Sequence, residues 1–206
     1  MILNSVKSLL KKSISIVDLI LLYFKYFTSK NNGIKICIST TKSYANETIP
    51  KLISQLLMCN VPMENIFVFE GGHSAYSKNE SARYNHYYTD HNSFDLTSLI
   101  SILELNLIAE YWLLLHDTVE LDKSFKFKFF TLNPKKHECM PLTKFPSMNI
   151  GIYSNEIIKR NKGFILSQKN TDYSVEQIQK VKKNAVETED FLFKTSTKVK
   201  TINYHL

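Results

Sequence analysis

The stretch Tyr111-Trp112-Leu113-Leu114-Leu115-His116-Asp117-Thr118 decides the fold. An apolar run leads directly into a histidine and a carboxylate. A run this short and this apolar fits a central strand buried on both faces, although periodicity alone does not separate it from a buried helix segment. Burying an unpaired carboxylate is strongly unfavourable, so the polar residues belong at the carboxyl edge of the strand. Open α/β sheets hold their ligands along that edge. Asp117 is therefore the centre of the expected site. The plainer alternative is that His116 and Asp117 only close the strand and begin a turn.

Working upstream, Asn31-Asn32-Gly33 reads as a turn and Ile34-Lys35-Ile36-Cys37-Ile38 as the first strand, ending in Ser39-Thr40-Thr41-Lys42. Asn46 is a suitable N-cap for a helix carrying Ile49, Leu52, Ile53, Leu56 and Leu57 on one face. Ile66-Phe67-Val68-Phe69 is a second strand, stopped by Glu70-Gly71-Gly72. Strand, helix and strand at this spacing make a βαβ unit with parallel strands and a right-handed crossover. Its carboxyl edge gathers Ser39, Thr40, Thr41 and Lys42 from one strand and Glu70 with two glycines from the next. Hydroxyls, a lysine and flexible backbone suit a nucleotide, but there is neither a Walker loop nor a GxGxxG. Residues 73–94 read as a long polar loop rich in tyrosine and histidine, in which the spacing of His86, Asp90 and His91 matches no common metal set. Asp95 is the expected cap of a second helix bearing Leu96, Leu99, Ile100, Leu103 and Leu107, which delivers the chain to the central strand.

Downstream, Phe125-Lys126-Phe127-Lys128-Phe129 alternates strictly and predicts a half-exposed edge strand. Residues 131–147 read as loop. Met148–Tyr153 reads as a strand, and Ser154 as the cap of a short helix. A polar helix opens at Asp172-Tyr173-Ser174 and leads to Glu189-Asp190.

The 206 residues suffice for one good core, so one domain is expected, over residues 31–195. It is preceded by an amphipathic helical segment, 1–30, and followed by a basic, loosely held tail, 196–206. The nearly apolar part of the first segment, residues 14–27, would span about 21 Å as a helix, short of the roughly 30 Å hydrocarbon core. Packing on the domain and lying in a membrane interface both remain open for it. The net charge of +7 favours anionic partners, although the lysines are scattered and not massed in one block. Cys37, Cys59 and Cys139 are odd in number and far apart, with neither metal nor disulfide spacing. A reducing compartment fits, so the expected location is cytoplasmic, with peripheral membrane contact through residues 1–30 as an option.

The order of these elements resembles the GT-A class of nucleotide-sugar glycosyltransferases. The opening βαβ with its polar Ser39–Lys42 loop, the apolar strand ending Leu115-His116-Asp117-Thr118, and the acidic pair Glu189-Asp190 carry the resemblance. Met148–Tyr153 falls where that class builds its acceptor side. The resemblance implies an α/β, GT-A-like (Rossmann-like) mixed and mainly parallel sheet flanked by helices. It also implies transfer of a sugar from a nucleoside-diphosphate donor to a hydroxyl of a glycan, lipid or protein acceptor. Ser39, Thr40, Thr41, Lys42, Glu70, Asp95 and His116 would face the donor, Asp117 would hold Mn²⁺ or Mg²⁺, and Asp190 or Glu189 would be the catalytic base. The family's DxD-type motif is reduced here to one acid, with His116 and Thr118 in its outer places. Two other readings are a catalytically degenerate binding protein of the same fold and a basic nucleic-acid-binding protein. The latter is not expected, because Arg83 is the only arginine and Lys78 the only lysine among the aromatics of the 73–94 loop.

Overall fold

The computed structural model describes residues 33–141, 150–188 and 190–198. They form a mixed α/β fold around a seven-stranded sheet with the order β3-β4-β2-β1-β5-β7-β6. β1 (Ile34–Thr41) and β2 (Ile66–Gly71) are parallel and joined by α1 (Ala45–Met58), which is the expected βαβ unit. β5 (Tyr111–His116) lies parallel to β1 on its other side and is reached through α2 (Thr97–Glu104). The opening stretch is thus a central strand, with Tyr111 to Leu115 all buried.

Side chains alternate between the two faces of the sheet. Cys37, Phe67, Phe69, Trp112 and Leu114 share one core with Leu99, Ile100 and Leu103 of α2. Phe67 meets Trp112 edge to face at 5.2 Å between ring centroids. Alternation sends Ile36, Ile38, Val68, Leu113 and Leu115 to the opposite face, against which α1 packs its buried Ile49, Leu52 and Leu56.

Four expectations change. First, the loop 73–94 contains β3 (Ser77–Lys78) and β4 (Asn85–Thr89), and β4 pairs parallel with β2. Its Asn-His-Tyr-Tyr-Thr sequence has no apolar alternation because His86 is satisfied by a buried carboxylate and not by an oily neighbour. Second, residues 125–129 belong to a helix, α3 (Phe125–Thr131), not a strand. An i, i+4 pair fits either period, and Phe125 and Phe129 stack at 5.4 Å as neighbours on one helical face. Residues 123–133 form part of a unit separate from the sheet. Third, the stretch 131–147, expected as loop, contains a short strand, β6 (Cys139–Pro141), antiparallel to β7 (Gly151–Ser154), which is itself antiparallel to β5; residues 142–147 lie outside the described residues. Fourth, neither expected N-cap acts as one. The N-cap position of α1 is Tyr44, and Asp95 lies in a single 3-10 turn, Phe94–Leu96, before α2. Ser154 does cap α4 (Asn155–Arg160), accepting from Ile157 N at 3.2 Å.

α4 is followed by α5 (Lys162–Ser167), the polar α6 (Val175–Thr188) and α7 (Phe191–Thr195). The tail is held as far as it is described. Glu138 accepts from Thr197 N at 3.0 Å and donates its own N–H to the Lys198 carbonyl at 2.9 Å. Among the described residues no helix is long and apolar enough to cross a membrane; the segment 1–30, Glu189, and Met148 and Asn149 of the expected strand lie outside them.

Candidate functional site

From β1 the chain builds outward through β2 to β4, then returns to place β5 on the other side of β1. The order of strands therefore reverses between β1 and β5, and the crevice outside their carboxyl ends is the topological switch point, where α/β sheets bind ligands. Ser39 pairs in register with His116, so the polar ends of both strands meet there.

The two faces of the sheet divide these residues. On the α1 face, Thr40 Oγ1 donates to Asp117 Oδ2 at 2.6 Å. Thr48, in the first turns of α1, places its hydroxyl 2.9 Å from the same oxygen and 3.0 Å from the Tyr44 carbonyl, sharing its hydrogen between them. On the α2 face, His116 Nδ1 lies 3.1 Å from Asp95 Oδ1 with both side chains about one quarter exposed. Ser39 fixes that turn, donating to the Asp95 carbonyl at 3.1 Å and accepting from Ser98 N at 3.1 Å. Thr97, not Asp95, ties the start of the helix, accepting from Ser93 N at 3.0 Å.

The remaining expected residues divide. Thr41 and Lys42 sit at the crevice, with Lys42 N donating to the Gly71 carbonyl at 2.9 Å. The Lys42 side chain is exposed, and among the described residues no carboxylate pairs with it. Glu70 is in register with Thr40, but its carboxylate is engaged internally by His73 at 2.8 Å and by His86 at 3.1 Å. Burial alone would raise its pKa; the two imidazole bonds outweigh that and hold it below the ordinary value. Asp190 is not brought to the crevice. It pairs with Lys194 at 2.8 Å on α7, whose Leu192 carbonyl accepts from Cys139, in the row that runs through Tyr153 to Trp112. Trp112 precedes Asp117 by a strand length of about 15 Å.

These positions bear on the expected metal. The motif the resemblance implies chelates a cation with convergent oxygens. Here His116 and Asp117 point to opposite faces, and Asp117 Oδ2 is taken by two hydroxyls, leaving one carboxylate oxygen. The residues do not fit a chelated Mn²⁺ or Mg²⁺. Elsewhere, ligand atoms of Asp90, His91 and Glu104 lie within 4.8 Å of one another. The Lys169 ammonium stands 3.0 Å from Asp90 and 2.8 Å from Glu104, supplying the positive charge itself.

Two cavities are relevant. One of about 240 Å³ opens on the α1 face beside Asp117. A larger one, about 400 Å³, lies at the opposite end of β5 between Glu110, Lys136, Asn155 and Lys198. Its charges are mixed in sign and it stands at the edge where such sheets do not usually bind ligands, so the switch-point crevice is taken as the site. Thr48 is the participant that sequence reasoning passed over; its only signal is a hydroxyl one turn into the helix that follows β1. Comparison with protein-family models, with curated proteins and with solved structures finds no match.

Proposed function

We propose that the chain binds a nucleoside-diphosphate sugar in the crevice between β1 and β5 and transfers the sugar to an acceptor hydroxyl, as a GT-A-like glycosyltransferase. One observation carries this reading. The polar loop after β1, the carboxylate held by Thr40 and Thr48 on one face, and the Asp95–His116 pair on the other stand together at the switch point of a mixed sheet whose strands β1, β2, β4 and β5 run parallel.

The chemistry follows from charge. A departing nucleoside diphosphate needs a cation and N–H donors, and Lys42 supplies an exposed cation at this edge. In an inverting transfer, a carboxylate takes the proton of the attacking hydroxyl. Asp190 is ion-paired on α7, so Asp117, with one oxygen clear of the Thr40 and Thr48 hydroxyls, is the carboxylate available here. No step is routed through a metal. The unsuited donor set at Asp117 favours a second reading, a nucleotide-sugar-binding protein of the same fold without turnover.

Calorimetric titration with UDP and GDP, each with and without Mn²⁺, tests the site. Micromolar binding indifferent to Mn²⁺ is expected, weakened at least tenfold in Lys42→Met and unchanged in Asp190→Asn, whereas Asp117→Ala should keep nucleotide binding and lose sugar transfer. Failure of wild type to bind either nucleotide sinks the assignment. Binding without release of free nucleotide in the presence of acceptors selects the second reading.

A further inference from the structure

The cavity on the α1 face borders the same carboxylate but differs in chemistry from the crevice. Its polar lining comes from Thr48, Lys51, Gln55, Asp117, Thr118 and Glu120. Leu52 and Val119 give it an aliphatic patch. The loop that forms its outer wall is fixed, because Leu121 N donates to Gln55 Oε1 at 3.1 Å. That bond leaves the amide NH₂ as the donor Gln55 can offer a ligand.

Among the described residues, two carboxylates against one ammonium make the lining net negative, which disfavours phosphate or another anion. No aromatic ring among the described residues lines it, so the usual platform for a nucleobase is not offered by them. What remains is a small space of about 240 Å³ with donors and acceptors interleaved around an aliphatic patch. Hydroxyl groups both donate and accept, so a ring bearing several of them matches such a lining without carrying charge. We infer that this cavity is a subsite for a neutral saccharide ring. It rests on the reading above in one respect: a sugar seated here presents a hydroxyl to the Asp117 oxygen that Thr40 and Thr48 leave clear, which makes the acceptor a glycan. The region where the resemblance places the acceptor offers less, since β7 is buried along its whole length.

The test is nuclear magnetic resonance of the full chain, following the Gln55 side-chain amide and, in wild type and variants alike, the backbone amides of Thr118, Val119 and Glu120, during titration with methyl glycosides of glucose, galactose, mannose and N-acetylglucosamine. Saturable millimolar shifts with at least one glycoside are expected, weakened about three- to tenfold in Gln55→Leu, the range expected for one lost hydrogen bond. Lys51→Met, at an exposed position that carries no fold risk, should weaken the same binding. The inference is overturned if no glycoside shifts the Gln55 amide, or if both variants bind as wild type does. The nucleotide titration is read separately. Saccharide binding without nucleotide binding would retain the subsite and remove the transferase reading, whereas nucleotide binding alone would do the reverse.

Discussion

At the scale of single residues, the site depends on short polar contacts that hold charged or ionisable groups in place. Thr40 is buried, and its hydroxyl stands 2.6 Å from Asp117. Thr40→Val keeps the shape and removes that donor. A hydrogen bond to a charged group contributes about 1.5–3 kcal/mol, and partial solvation of Asp117 puts the expected loss near the lower figure. Denaturant unfolding of wild type and variant measures it. His91 is the second case. It is fully buried between the Tyr76 hydroxyl at 2.8 Å and Ser93 Oγ at 3.1 Å. Burial pushes its pKa down to about 4, against the opposing pull of Glu104. The folded state therefore keeps the ring neutral while the unfolded chain takes up a proton below its ordinary value near 6.5. The stability this group contributes is complete above about pH 6.5 and is lost progressively towards pH 4, on the order of 3 kcal/mol. Unfolding measured across that range should show a shallower fall for His91→Gln than for wild type. Parallel curves would refute the assignment.

At the scale of elements, the C-terminal end is fastened by one carboxylate. Glu138 accepts from Arg160 at 2.6 Å, from Ser196 Oγ at 3.0 Å and from Thr197 N at 3.0 Å. The Arg160 bond foremost, followed by the Thr197 amide, holds its pKa down at about 2. Glu138→Gln should release residues 196–198 at a cost of about 1 kcal/mol, discounted because Arg160 is half exposed. Faster hydrogen exchange at the Thr197 amide, with α1 unchanged, is the expected signature. This fastening is invisible in sequence, because it joins Glu138 to residues 58 and 59 positions away. The same distinction governs the rest of the fold. β1, β2 and β5 are legible as short apolar runs bounded by turn or polar residues, the mark of buried strands, and α1 because its apolar positions recur over a span long enough to set a helical period. β4 is not, since its inward-facing His86 is matched to Glu70 from another strand. The 125–129 stretch was misread because five residues are too few to separate alternation from a helical i, i+4 pair. Within the site, the loop Ser39–Lys42 and the edge position of Asp117 could be read directly. The Asp95–His116 pair and the role of Thr48 arise only when the strand order is known.

At the scale of the whole molecule, one sheet separates two differently built ends. The carboxyl end of β5 carries the switch-point crevice, and its amino end lies beside the larger cavity of mixed charge. The sheet also sorts the three cysteines. Cys37 lies in β1 and Cys139 in β6, both at 0% exposure, whereas Cys59, at the end of α1, is half-buried. Burial raises the pKa of both sheet thiols, that of Cys139 to about 12, and only a thiolate reacts. An alkylating reagent at neutral pH should therefore consume one thiol rapidly in the native protein and three in denaturant. Rapid native modification of all three would contradict the packing. Because the slow pair belongs to a central strand and to the far edge, its members report on separate parts of one sheet. If they disappear at a single shared rate, the sheet opens as one cooperative body; if Cys139 goes first, the β6–β7 side peels away before the crevice between β1 and β5 is disturbed.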